Sequence, residues 1–107
     1  LQDVTSGKPS PIIVLRGFPS GKHVGSAEAG APASLVRKVN STARFAATQR
    51  AKGRWDAEWC VSLRAMGVRL PRPAYVPKLR FNVTAFKAAT REWVMVRPTL
   101  GNSWRVE

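Results

Sequence analysis

Acidic residues are the scarcest chemical group in this chain. Of its 107 residues, 18 are Lys or Arg but only 6 are Asp or Glu, so the formal net charge is +12. Such an excess destabilises a small compact chain by self-repulsion, and a polyanionic partner is the usual compensation. Because the planar guanidinium of arginine matches phosphate geometry, the sequence favours a nucleic-acid backbone as that partner. A basic surface that is merely solvated is the alternative.

Cysteine and histidine are almost absent as well, with one of each, Cys60 and His23. The chain therefore cannot form an internal disulfide, and it lacks the ligands for a structural zinc site. Cys60 is expected to be a buried, inert thiol, and His23 a surface residue. The six acids are scattered and form no pair suited to general acid–base work. We expect no enzyme activity, no small-molecule substrate, no metal and no cofactor.

Long apolar runs are missing too. No segment approaches the roughly 20 apolar residues that a membrane-spanning helix needs, so no membrane insertion is expected. Hydrophobic residues still make up 44% of the chain, with four Trp and four Phe, which is enough for one small core. The chain begins at Leu1 rather than Met, which fits a processed chain, a removed targeting peptide or a trimmed form.

Residues 1–42 are rich in Gly, Pro, Ser and Ala, and they predict a basic, extended N-terminal arm with little core of its own. The apolar run Ile12–Leu15 predicts a short strand or a docking segment that, with Phe18, meets a protein. Residues 31–38 predict a short helix. The arm would touch phosphates through four basic side chains, Arg16, Lys22, Arg37 and Lys38.

Regular elements begin near Ala43. Residues 44–50 predict a strand that ends at a basic turn. Four apolar residues then recur at spacings of four, four and three, which predicts a helix with an aromatic core face, and Gly67 follows as its natural end. These four residues are Trp55, Trp59, Leu63 and Met66.

Three further elements follow. Residues 74–76, between two prolines, predict an edge strand. Asn82 is a plausible N-cap for a second helix that runs to about Thr90 and buries Val83 and Phe86. Residues 93–96 predict a final strand, and residues 99–107 an irregular C-terminal tail. The order strand, helix, strand, helix, strand predicts an α+β fold: a small βαβαβ two-layer sandwich, with two helices on one face of a three-stranded sheet.

The order and spacing of these five elements over residues 43–98 resemble the large-subunit ribosomal protein L-thirty family, and its mitochondrial branch more than its bacterial one. The sequence departs from the family near Phe81, where a proline usually precedes the second helix. No single motif is specific, but individual stretches match the family, namely the strand and basic loop Phe45–Arg54, the Leu-Gly-Leu-like element Met66-Gly67-Val68, and the second helix Asn82–Arg91 leading into the final strand Trp93–Val96 with its Val96-Arg97-Pro98 exit.

The resemblance implies a structural constituent of the large subunit of the mitochondrial ribosome, located in the matrix. Its partners would be large-subunit ribosomal RNA, read through backbone and ribose contacts, and neighbouring ribosomal proteins. Arg50, Lys52 and Arg54 match the basic loop with which the family touches RNA. Two further basic segments are weaker candidates, Arg69 with Arg72 and Lys78 with Arg80.

Two other functions remain open from the sequence. The chain could be a ribosomal protein of another family that shares only charge and size. It could also be an accessory subunit of a mitochondrial membrane respiratory complex, whose basic surface would face protein and lipid headgroups instead of RNA.

Overall fold

The structure, a computed structural model, describes residues 1–5, 8, 10–68 and 78–95. Within these residues the chain forms one α-helix and eight strands, which pair as four two-stranded antiparallel sheets. β1 pairs with β6, and the other strands form the hairpins β2–β3, β4–β5 and β7–β8. The elements are β1 (Gln2–Asp3), β2 (Val14–Gly17), β3 (His23–Ser26), α1 (Ala33–Thr42), β4 (Arg44–Ala51), β5 (Arg54–Cys60), β6 (Leu79–Arg80), β7 (Thr84–Lys87) and β8 (Glu92–Met95).

The prediction of a three-stranded sheet with two helices on one face is wrong. The first predicted helix is replaced by β5 and a turn, and the second by β7 and the turn before β8. The spacing of four between Trp55 and Trp59 explains the first error, because two residues four apart share a face in a helix and also in a strand. Here both side chains belong to a strand that pairs with β4.

The prediction that residues 1–42 form a long extended arm is also wrong. Residues 14–26 form the hairpin β2–β3, and α1 follows over the region where a short helix was expected. Val36 and Val39, three residues apart on one face of α1, are buried. The helix packs its apolar face against β3, because Gly25 has no side chain and lets Val36 approach its backbone. The division of the chain at residues 42 and 98 stays a prediction.

Two of the predicted strands agree with the structure. β4 covers the strand expected over residues 44–50, and β8 covers most of the final strand, whose last residue lies outside the described part of the chain. The strand expected over residues 74–76 and the tail over residues 99–107 also lie outside it.

A small apolar core joins the two halves of the described chain. Ile13 and Val39 are its most deeply buried side chains, and Met66 and Val68 reach it from the turn after β5. Gly67, with φ of 84°, allows that turn to close, and the amide of Val68 donates to the carbonyl of Leu63. The sequence-based expectation of a left-handed glycine here is confirmed, although it ends a turn and not a long helix.

The remaining pair, β1 with β6, ties the start of the chain to residues 78–80. The amide of Val4 donates to the carbonyl of Lys78 at 2.9 Å, and the amide of Lys78 donates to Oγ1 of Thr5 at 2.9 Å. Leu79, half-buried, packs against the core. This pairing fixes the segment from which the β7–β8 hairpin departs.

Candidate nucleic-acid interface

The β4–β5 hairpin, which we call the long hairpin (residues 44–60), projects the best candidate site away from the core. Its base is half-buried, but every residue from Thr48 to Glu58 is exposed. Seven to eight residues per strand at about 3.3 Å each give a ribbon of roughly 25 Å. Its closing turn is Lys52-Gly53, where Gly53 supplies a positive φ of 74°.

An aromatic cluster holds the base of the long hairpin in place. Phe45 and Trp59 are cross-strand partners whose ring centroids lie 4.5 Å apart, and the ring of His23 meets that of Trp59 edge-on at 5.5 Å. His23 is half-buried, and its Nδ1 lies 2.9 Å from Oδ1 of Asn40 on α1. The expectation of a surface histidine is therefore wrong. His23 links the first hairpin, the helix and the long hairpin.

Gly17 contributes to the same junction. A Cβ atom at this position would fall inside the van der Waals surface of the Phe45 ring. The ring of Phe45 therefore lies directly over the backbone of β2, and only glycine leaves room for it. Through this contact the core fixes the direction in which the long hairpin leaves the molecule.

The tip of the long hairpin carries three of the predicted RNA-binding residues. Arg50, Lys52 and Arg54 are all exposed and lie within five positions of one another around the turn. The register pairs Gln49 with Trp55 and Ala51 with Arg54, and the shift between these two pairs leaves Arg50 in a bulge of β4 next to the turn. The structure thus brings them together, as expected, although the turn joins two strands and not a strand and a helix.

Arg50 has an internal partner at this tip. Its Nε donates to Oδ2 of Asp56 at 2.8 Å, and both side chains are more than half exposed. An exposed pair of this kind contributes about 0–1 kcal/mol to stability. The guanidinium has five N–H donors, so this contact orients Arg50 without using up its capacity to bind phosphate.

Trp55 is a tip residue that the sequence interpretation assigned to the core. It is 40% exposed, lies opposite Gln49 and follows Arg54 along β5. An aromatic ring next to exposed arginine and lysine is a common feature of surfaces that bind single-stranded nucleic acid. The one signal that could have revealed it is the strand-like alternation of Trp55, Ala57 and Trp59.

The other described candidates lie on different elements. Arg16 on β2 forms an ion pair with Glu28, and Lys22 lies in the turn before β3. Two further pairs of candidates are exposed as well, Arg37 and Lys38 on α1 and Lys78 and Arg80 at β6. Arg69 and Arg72 lie outside the described residues. The candidates therefore do not form one compact site around the long hairpin.

Sequence reasoning passed over several exposed cations. Every lysine and arginine that the structure describes is exposed. Arg44 on β4 donates from Nη2 to Sγ of Cys60 at 3.7 Å. Cys60 is itself exposed, which corrects the expectation of a buried thiol, because neighbouring residues of a strand point to opposite faces and Trp59 takes the inner one. The exposed cations outside the predicted RNA-binding set are Lys8, Arg44, Arg64, Lys87 and Arg91.

The described residues show no arrangement suited to metal binding. They contain no group of three or more His, Cys, Asp or Glu side chains placed to hold a metal ion. Across this same part of the chain, no helix is both long enough and apolar enough to cross a bilayer.

No protein-family model, no curated protein and no solved structure matches the chain.

Proposed function

We propose that this protein is a structural RNA-binding component of a ribonucleoprotein particle, and specifically of the large subunit of the mitochondrial ribosome. The observation that carries the proposal is the exposed and largely unneutralised positive charge. The chain has a formal net charge of +12, and all of its described lysines and arginines face solvent. Binding to phosphates releases their counterions, which would relieve the self-repulsion that the free chain carries.

Internal ion pairing does little to reduce this charge. Between described residues there are two ion pairs, Arg16–Glu28 and Arg50–Asp56, and both are exposed. Exposed pairs are weak, so phosphate oxygens can compete for either arginine. The projecting long hairpin supports the same function, because a narrow basic ribbon can enter a groove or a junction of folded RNA.

The ribosomal part of the proposal has narrower support. It draws on the basic loop at Arg50, Lys52 and Arg54 and on the size and charge of the chain. The order of helices and strands, which carried most of the resemblance to the L-thirty family, is not the order that the structure has. Our proposal therefore depends on the basic surface and not on that fold.

We expect replacement of Arg50, Lys52 and Arg54 by alanine to reduce incorporation of the protein into the large subunit by about tenfold or more, because three phosphate-binding cations are lost from one tip. Co-sedimentation with large-subunit RNA from an organelle extract measures this. Arg50→Lys with Arg54→Lys is the matched control, because it keeps the charge. Thermal unfolding should be nearly unchanged in both variants, since the tip is exposed.

Normal incorporation of the alanine variant would remove the tip from the RNA contacts. Treatment of the extract with ribonuclease separates the wider alternatives. Release of the wild-type protein from a large particle supports the proposal. Retention in a membrane fraction after this treatment would instead favour the accessory subunit of a respiratory complex.

A further inference from the structure

The β7–β8 hairpin, which we call the aromatic hairpin (residues 84–95), has no covering layer on either face among the residues that the structure describes. Every residue from Ala85 to Val94 is exposed. A two-stranded hairpin without a covering layer is at best marginally stable in water. This element therefore has the features of a surface that a binding partner covers.

Two aromatic rings dominate one face of this hairpin. Phe86 and Trp93 are direct cross-strand partners, with ring centroids 5.2 Å apart and ring planes inclined by 51°. Phe86 is 52% exposed and Trp93 61% exposed. Phe81, in the segment that leads into the hairpin, is 76% exposed. The sequence interpretation had buried Phe86 in a helix, and the structure instead presents it to solvent beside a tryptophan.

The charge of the same segment indicates what kind of partner would cover these rings. Arg80 and Arg91 are exposed, and Lys87, also exposed, lies on the other face of the hairpin opposite Glu92, the acid among residues 80–94. An apolar protein surface would cover the rings but would offer no opposite charge to the two arginines. A strand of RNA offers bases to the rings and phosphates to the cations, which is how single-stranded nucleic acids are commonly bound.

We propose that Phe86 and Trp93 form a stacking platform for an unpaired nucleotide of RNA, with Arg80 and Arg91 neutralising the neighbouring phosphates. This inference rests on the proposed function, because it takes RNA as the partner. It adds that the RNA contacted here is locally single-stranded, since bases within a duplex are already stacked and do not present their faces to a protein.

The test compares two RNAs of about 12 nucleotides, a length within the range of common single-strand sites, one single-stranded oligouridine and one blunt duplex. Fluorescence anisotropy with full-length protein at fixed salt gives both affinities. We expect Phe86→Leu and Trp93→Leu each to weaken single-strand binding about tenfold and to change duplex binding less than about twofold, because leucine keeps the apolar contact but removes the ring face. Trp93→Phe should keep most of the affinity.

Val94→Ala, on the opposite face of the hairpin, is the matched control and should leave both affinities unchanged. An equal loss for the two RNAs, or no loss for either, would overturn the platform while leaving RNA binding itself intact. Failure of wild-type protein to bind either RNA would overturn the proposed function together with this inference.

A second measurement needs no variant and does not depend on how the variants fold. Photo-crosslinking of the wild-type protein to bromouridine-containing single-stranded RNA, mapped by mass spectrometry, should place a crosslink at Phe86 or Trp93. Crosslinks confined to Trp55 or to other residues of the long hairpin would contradict the platform and would place the unpaired base there.

Discussion

Asp56 is the residue that most directly limits the positive potential at the tip of the long hairpin. Its carboxylate accepts a hydrogen bond from Arg50 and places a negative charge among three cations. The arrangement orients the arginine, but any phosphate that approaches the tip is repelled by the same carboxylate. Two like charges 4 Å apart repel by about 1 kcal/mol in water.

We therefore expect Asp56→Asn to strengthen binding of RNA by about three- to fivefold at low salt, with little change in stability because the ion pair is exposed. Affinity for a fixed RNA, measured by anisotropy, checks this. Glu58→Gln changes the net charge equally but lies farther from the turn, so its gain should be smaller. Weaker binding of the Asp56 variant would mean that orientation of Arg50 outweighs repulsion.

At the scale of elements, contacts between distant segments select the secondary structure wherever the local sequence pattern fits both a helix and a strand. The strand over residues 44–50 and the left-handed Gly67 were predictable, because both depend on local signals. The segment from Trp55 to Trp59 was not, since its spacing of four fits a helix and a strand equally. Its conformation is selected by pairing with β4 and by the contact of Trp59 with His23, which is 36 positions away along the chain.

The candidate site, like the fold, was predictable from the sequence only in part. That Arg50, Lys52 and Arg54 are exposed and adjacent follows from the sequence. The alternation of Trp55, Ala57 and Trp59 indicates a strand, but it does not show that Trp55 is exposed, nor does any local pattern show it for Phe86. Aromatic residues are usually core residues, and these two differ because no described layer covers them. This absence is a property of the assembled structure and not of any local pattern.

The packing of α1 on β3 yields a prediction about stability. A Cβ at Gly25 would lie 2.6 Å from Cγ1 of Val36, so we expect Gly25→Ala to lower the free energy of unfolding by about 1–3 kcal/mol through overpacking. Denaturant unfolding measures the loss. In the double variant Gly25→Ala with Val36→Ala, the second change should cost less than it does alone, because it relieves the clash. Additive losses would argue against this contact.

For the whole molecule, the dispersed charge predicts a strong dependence of binding on salt. The described cations lie on α1 and on several strands and turns, so a folded RNA would be contacted at many points. If about six phosphates are neutralised, raising the salt concentration from about 50 to 200 mM should weaken binding by about 10³-fold. Affinities at four or more salt concentrations give the slope. A nearly flat slope would contradict charge neutralisation as the mechanism.

Each described strand belongs to a sheet of two, so each has one side whose amide and carbonyl groups no other described strand covers. Open sides of this kind are templates for pairing between copies of a chain, and charged side chains along them are the usual protection. The lysines and arginines would then have a second role, which is to prevent pairing between newly made copies of the chain. If the protein assembles with RNA as proposed, their mutual repulsion would keep newly made copies from joining into aggregates until the RNA covers them.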